Sequence, residues 1–303
     1  AESLAPGRPD VRSRIQLLSH QSGNAKQIET ATAPVLPAIV IRPDDRAMGS
    51  QVAPSVAEFQ FRDVAAEMGI QFEYCNGPSP YKRILETIGG GSAVLDIDGD
   101  HWSDLYFPQG QHFLNSSTPL NDALYRNQRG LRFSECTQIA GIHEYEHSLS
   151  ATVADFDNDG FADVFVTNVG VCRLFHNNGD GTFLDATPAS IVRNLDCSSC
   201  ACFADLNQDG LLDLFVVNYV ADWDRRCLNN AGEFATCHPH ELQRAQNRLY
   251  QNLGNGDFRD VTESSGLLGV LGRGLGVVAA DLNEDGQTDV FVANDGTPNM
   301  LFV

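Results

Sequence analysis

The chain has 303 residues, 42% of them hydrophobic, and a net charge of −20. That length suits one large all-β domain or two ordinary ones, and no run reaches the ~18–20 apolar residues of a membrane span. Residues 1–57 hold six Lys/Arg against five Asp/Glu and the remainder 14 against 35, so the acidic part repels nucleic acid and anionic lipid.

Residues 1–57 carry no repeat motif and are rich in Pro, Ser, Ala and Gln. They read as an extended, flexible N-terminal arm. Within the arm, "PVLPAIVIRP" (residues 34–43) could add as a strand to the sheet edge of a neighbouring subunit. Self-association through the arm, into an oligomer or filament, is the expectation it raises. The opening "AESLAPGRPD" has no charged-then-apolar leader, and the expectation is an exported protein whose signal peptide has been removed. Eight cysteines, with no metal-thiolate pattern, point to disulfides and an oxidising compartment.

From residue 58 onward the chain is repetitive. One unit occurs four times: "LDIDGDHWSDLYF" from Leu95, "ADFDNDGFADVFV" from Ala154, "ADLNQDGLLDLFV" from Ala204 and "ADLNEDGQTDVFV" from Ala280. A second unit follows as "LYRNQRGLRFSEC", "LFHNNGDGTFLDA" and "LYQNLGNGDFRDV". In it Tyr125, Phe175 and Tyr250 precede Phe133, Phe183 and Phe258 by eight residues. Each unit predicts a hairpin: two strands about an acidic loop, then two about an Asn/Gly turn. Two hairpins in series make a four-stranded antiparallel sheet, and such sheets in tandem are propeller blades.

The prediction is therefore an all-β propeller over residues 58–303, of four blades with four strands each. The last motif, "NMLFV", is a third strand, while "QFRDVAAEMGI" from Gln60 repeats the fourth-strand motif "DFRDVTESSGL". The N-terminal strand is expected to complete the last blade and latch the ring. The alternative is a piece of a propeller with seven or eight blades.

The acidic loops follow D-x-[DN]-x-D-G-x-x-D. Carboxylates ~4 Å apart repel by about 4 kcal/mol per pair at an effective dielectric near 20, so a cation is expected among them. Hard oxygen ligands in a flexible loop suit Ca²⁺. Positions 1, 3, 5 and 9 supply side chains, and position 7 a backbone carbonyl. The first loop uses Asp96, Asp98, Asp100, Trp102 and Asp104; the second Asp155, Asp157, Asp159, Phe161 and Asp163. The third uses Asp205, Asn207, Asp209, Leu211 and Asp213; the fourth Asp281, Asn283, Asp285, Gln287 and Asp289. Position 6 is Gly for the sharp bend, except His101 in the first loop. An EF-hand is excluded, because position 12 is Phe107, Val166, Val216 or Val292 instead of a bidentate Glu.

These loops and the "LYxNxGxGxFxDVT" units resemble FG-GAP/VCBS repeats, as in integrin α-subunit propellers. A closer likeness is to bacterial ASPIC/UnbV-type extracellular repeat proteins. The resemblance covers residues 58–303 and implies a β-propeller with Ca²⁺ in about four hairpin loops, one per blade; it implies no single activity.

Antiparallel order places the long connections 71–88, 109–118, 189–199 and 219–247 on the face opposite the acidic loops, where propellers bind partners. Cys227 and Cys237 bracket one excursion and form the expected disulfide. "CSSCAC" lacks the second C-x-x-C of a zinc site, and "CHPH" offers His238 and His240 as weaker metal candidates. Asn115 opens a short sequon. No nucleophile motif or phosphate loop is visible. The reading is an extracellular structural or adhesive module engaging itself, other surface proteins or glycans. The alternatives are a lectin-like propeller using Trp223 and Tyr219, or an enzyme acting on a polysaccharide.

Overall fold

The computed structural model describes residues 61–113 and 119–303. The expected arm, residues 1–57, and the sequon at Asn115 lie outside the described residues. The unit spanning Val64–Val303 carries the fold.

That fold is all-β, as expected. β1 (Ala93–Leu95), β2 (Asp104–Phe107), β3 (Ala123–Asn127) and β4 (Phe133–Glu135) form the first sheet in chain order. β5 (His147–Ala154), β6 (Asp163–Val169), β7 (Arg173–Asn177) and β8 (Phe183–Asp185) form the second. In the third, β9 (Ser198–Ala204) and β10 (Asp213–Asn218) are followed by an excursion with two short strands, β11 (Cys227–Leu228) and β12 (Phe234–Ala235). The chain then runs through β13 (Ala245–Gln246) into β14 (Arg248–Asn252) and β15 (Phe258–Asp260), which complete that sheet. β16 (Leu271–Gly272) pairs with β13, and β17 (Gly274–Ala280), β18 (Asp289–Asn294) and β19 (Met300–Phe302) form the last sheet. All pairings are antiparallel.

The sheets stack as propeller blades in chain order, each burying apolar side chains against the next. Tyr106 and Leu124 of the first sheet pack on Val164, Val166 and Phe175 of the second. Phe165 and Leu174 of the second pack on Leu214, Val216 and Tyr250 of the third. Phe215 and Val217 of the third pack on Val290 and Val292 of the last. Inner strands β1, β5, β9 and β17 neighbour one another in that order.

The latch differs from expectation. Among the described residues the last sheet has three strands, and residues 61–64 belong to none. Residues 64–70 instead form a turn, closed by Met68 N–H to Val64 O and Ile70 N–H to Ala65 O. Its Met68 carbonyl accepts the N–H of Phe133 in β4 at 2.6 Å. The turn after β4 meets β8 in the same way, Phe183 N–H donating to Ala140 O at 2.7 Å. The repeated motif thus marks an inter-blade turn, and its docking on β4 satisfies backbone groups that would otherwise lie unpaired.

The long connections do gather. Ile84 and Leu85, Cys197, and Tyr219, Val220, Cys237 and Leu242 share one buried cluster, with Phe113 and Trp223 packed against it. Arg83 Nε donates to Asp224 Oδ1 across it at 2.6 Å. Cys227 and Cys237 are disulfide-bonded. The broader expectation from eight cysteines is corrected: Cys75, Cys136, Cys172, Cys197, Cys200 and Cys202 are free thiols. Cys200 and Cys202 are two apart on β9 and point to one face, so strand geometry holds them apart. Burial pushes the Cys172 and Cys200 thiols up to about 11, so these behave as apolar packing groups.

Candidate metal centres in the hairpin loops

Each acidic loop joins the two inner strands of its sheet and is first organised by its own backbone. In the second loop Asp155 Oδ1 accepts the N–H of Asp159 (3.0 Å) and Oδ2 that of Gly160 (2.8 Å). Asp159 Oδ1 accepts the N–H of Phe161 at 3.0 Å. Matching bonds recur at Asp205 with Asp209 and Gly210, and at Asp281 with Asp285 and Gly286. In the first loop Asp96 receives Asp100 and His101. His101 takes φ 67°, the left-handed conformation of Gly160, Gly210 and Gly286, so the loop keeps its path without the expected glycine.

Position 9 has a role the motif did not disclose. Asp104, Asp163, Asp213 and Asp289 are all buried. Asp163 Oδ2 accepts the N–H of Phe156 (3.1 Å), and Oδ1 that of Asn177 in β7 (2.8 Å). Asp104 does the same with Ile97 and Asn127, and Asp213 with Leu206 and Asn252. In the last loop Asp289 Oδ2 accepts from Leu282, while Oδ1 has no partner. In the first three loops this carboxylate ties the loop to the third strand. Burial pushes Asp163 up to about 7, against the two backbone donors; Asp104 and Asp213 are raised for the same reason.

Position 7 also has two uses. Its carbonyl was the expected ligand, while its side chain packs on the turn of the second hairpin. A Cβ on Gly179 would meet the Phe161 ring at 2.4 Å, and one on Gly130 the Trp102 ring at 2.9 Å. Leu211 lies against Gly254 in the same way.

The loop carboxylates also converge on one another. Ligand atoms of Asp96, Asp98 and Asp104 lie within 4.8 Å of one another, as do those of Asp155, Asp157 and Asp163. Ca²⁺ bonds of about 2.3–2.6 Å place opposed oxygens at most ~5 Å apart, so both sets fit one cation. Loops three and four put Asn207 and Asn283 at position 3, a neutral oxygen in place of a charge. The first loop has a cation of its own, which sequence reasoning missed: Arg126 Nη2 bonds Asp98 and lies 3.5 Å from Asp100 Oδ2.

With the loops in place, the comparisons with known proteins decide the family. The FG-GAP-like repeat model matches residues 96–166, 155–216 and 237–292, more than half of the chain. The chain belongs to the FG-GAP-like repeat family. It is 27% identical over 236 residues to cartilage acidic protein 1 of Xenopus tropicalis, covering 74% of this chain and 34% of that protein. The human protein of the same name is 22% identical over 231 residues, covering 74% and 33%. The chain thus spans about a third of the length of these curated relatives. Among solved structures, an Agrocybe aegerita lectin, described as recognising non-reducing terminal N-acetylglucosamine, aligns at 19% identity and TM-score 0.35, covering 69% of this chain and 50% of that one. As an FG-GAP-like chain, this one repeats the propeller's acidic hairpin loop four times, with acidic clusters able to hold a metal.

The opposite face is more aromatic. A cavity of about 400 Å³ is lined by residues including His112, Phe113, Tyr145, Glu146, His147 and Trp223. Phe113 stacks on His147 with ring centroids 4.8 Å apart. Tyr219 is buried, its hydroxyl donating to Asp295 Oδ2 at 2.7 Å, which removes it from any exposed binding surface. His238 and His240 stack on each other, centroids 4.9 Å apart. Among the described residues no helix is long and apolar enough to cross a membrane.

Proposed function

We propose that this chain is an exported, calcium-stabilised propeller module with a structural or adhesive role outside the cell, nearest in kind to ASPIC/UnbV-type repeat proteins. The observation that carries this is the recurrence of a carboxylate loop at one hairpin position in all four sheets. Carboxylate oxygens crowd together at the tip of an otherwise apolar blade. A hard divalent ion neutralises them and stiffens the turn. Relatives named for cartilage support the extracellular placement. The carboxylates are committed to loop structure, which favours a scaffold over a catalyst.

In this reading residues 1–57 join copies into an oligomer or filament, and the cluster of long connections faces partners. Scanning calorimetry tests the calcium part: EDTA lowers the melting temperature, and Ca²⁺ but not Na⁺ restores it. Negative-stain micrographs with and without residues 1–57 test the linking part; assembly that survives truncation sinks it.

A second reading, glycan binding, is favoured by the aromatic cavity around Trp223. Aromatic walls with a few polar groups suit sugar faces. Glycan-array binding lost in Trp223→Ala would support it, and an array without signal would reject it.

A further inference from the structure

One position decides what each acidic loop meets from the side: the residue between the buried aromatic and the asparagine of the third strand. It is Arg126 in the first sheet, His176 in the second and Gln251 in the third, paired respectively with Ser134, Leu184 and Arg259. Arg126 reaches into its loop, and Gln251 lines a cavity with Asn207 and Asp213. The second sheet puts an imidazole at the same place.

His176 is 8% exposed, and its Nδ1 has no hydrogen-bond partner. That nitrogen lies 3.4 Å from Asp157 Oδ2 and 3.2 Å from Asp163 Oδ1, and Nε2 lies 3.9 Å from Asp159 Oδ2. The ring stands edge-on to Phe156, at 84° with centroids 6.4 Å apart. Ligand atoms of Asp157, Asp159 and His176 all fall within 4.8 Å of one another. Two ligands bonded ~2.0–2.1 Å from a tetrahedral metal lie roughly 3.3 Å apart, which matches the spacing of Nδ1 from both carboxylates.

We propose that the second loop is a mixed nitrogen–oxygen site that takes a borderline divalent metal, Zn²⁺ first, with His176 as its nitrogen ligand. Ca²⁺ selects oxygen ligands, whereas imidazole with carboxylates suits zinc and its first-row neighbours. The inference rests on the reading of these loops as cation sites, and separates the second loop from the third and fourth, which keep oxygen donors alone.

The test uses the full chain, stripped with chelator and returned to millimolar Ca²⁺. Zn²⁺ uptake is then followed by calorimetry and Co²⁺ uptake by visible absorption. One Zn²⁺ binds with Ca²⁺ present, and His176→Gln, which installs the side chain found at 251, weakens it at least tenfold and removes the Co²⁺ bands. His176→Arg, copying residue 126, abolishes uptake, while the double variant His238→Gln/His240→Gln retains it. No zinc uptake over calcium, or uptake unchanged by His176→Gln, overturns the proposal. Calcium titration of the same stripped protein separates the two readings: failure of loops three and four to bind Ca²⁺, with zinc still bound through His176, rejects the calcium reading alone.

Discussion

Asp163 and Asn177 hold each other across the second sheet. The Asn177 N–H donates to Asp163 Oδ1 at 2.8 Å, and Asn177 Nδ2 donates to the carbonyl of Ala162, the residue before Asp163, at 3.1 Å. Asp104 with Asn127 and Asp213 with Asn252 repeat the arrangement. In the first three blades the first hairpin is thereby fastened to the second by one carboxylate and one amide, both out of water.

Removing the carboxylate leaves buried N–H groups of Phe156 and Asn177 unpaired, at about 1–3 kcal/mol each. Asp163→Ala is therefore expected to lose about 3–5 kcal/mol even in EDTA, where no metal contributes. Asp163→Asn, which keeps one acceptor oxygen, loses less. Urea unfolding in EDTA measures both; equal loss at Asp157→Ala would show that the position is not special.

A cation that binds only the folded loops would stabilise by mass action, about 1.4 kcal/mol per site at ten times its dissociation constant, and calcium is the cation proposed. Several sites acting together give a melting-temperature rise that grows with the logarithm of calcium concentration. Differential scanning fluorimetry across a calcium series checks this.

Arg126 occupies the first loop as an internal cation. Replacing it by Gln, the residue at the equivalent position 251, opens Asp98 and Asp100 to a metal ion. The expected outcome is tighter calcium binding at the first loop, with lower stability than wild type in EDTA and a recovered difference in calcium. Isothermal titration of Arg126→Gln against the parent protein reads the change directly.

Asp122 is buried where it accepts the Tyr106 hydroxyl (2.6 Å) and the Gln109 N–H (2.7 Å). Burial pushes it up to about 8, and Glu144 nearby up to about 7. Between pH ~4 and 8 the folded chain thus holds protons that the unfolded chain has released. Stability falls as pH rises through that window and levels off above it. Asp122→Asn is expected to cost stability at pH 5 and to flatten the decline toward pH 8.5. Chemical denaturation of both proteins at the two pH values, in one metal condition, decides the matter.

The disulfide between Cys227 and Cys237 closes a short loop, worth about 3 kcal/mol in the chain-entropy model. Cys227→Ser should lose that much, mostly in the excursion between β10 and β14. Thiol titration of the native protein should leave buried Cys172 and Cys197 unreacted until the chain unfolds.

By itself, the sequence determined the class of fold, the strand pairs of the repeated hairpins and the place of every acidic loop. Those features are local: alternation sets strand faces, turn residues set hairpins, and a repeat shows each pattern several times over. It also led to the disulfide between Cys227 and Cys237, two cysteines bracketing one excursion. Only the tertiary structure decided what lies across from each loop. Arg126 and His176 sit more than ten residues from the acids they meet, and nothing in the spacing of the loop reports a side chain arriving from the next hairpin. The same holds for residues 61–64, whose letters repeat a fourth strand. Whether a segment pairs as a strand depends on which backbone donors are left open beside it, and that is a property of the assembled sheets.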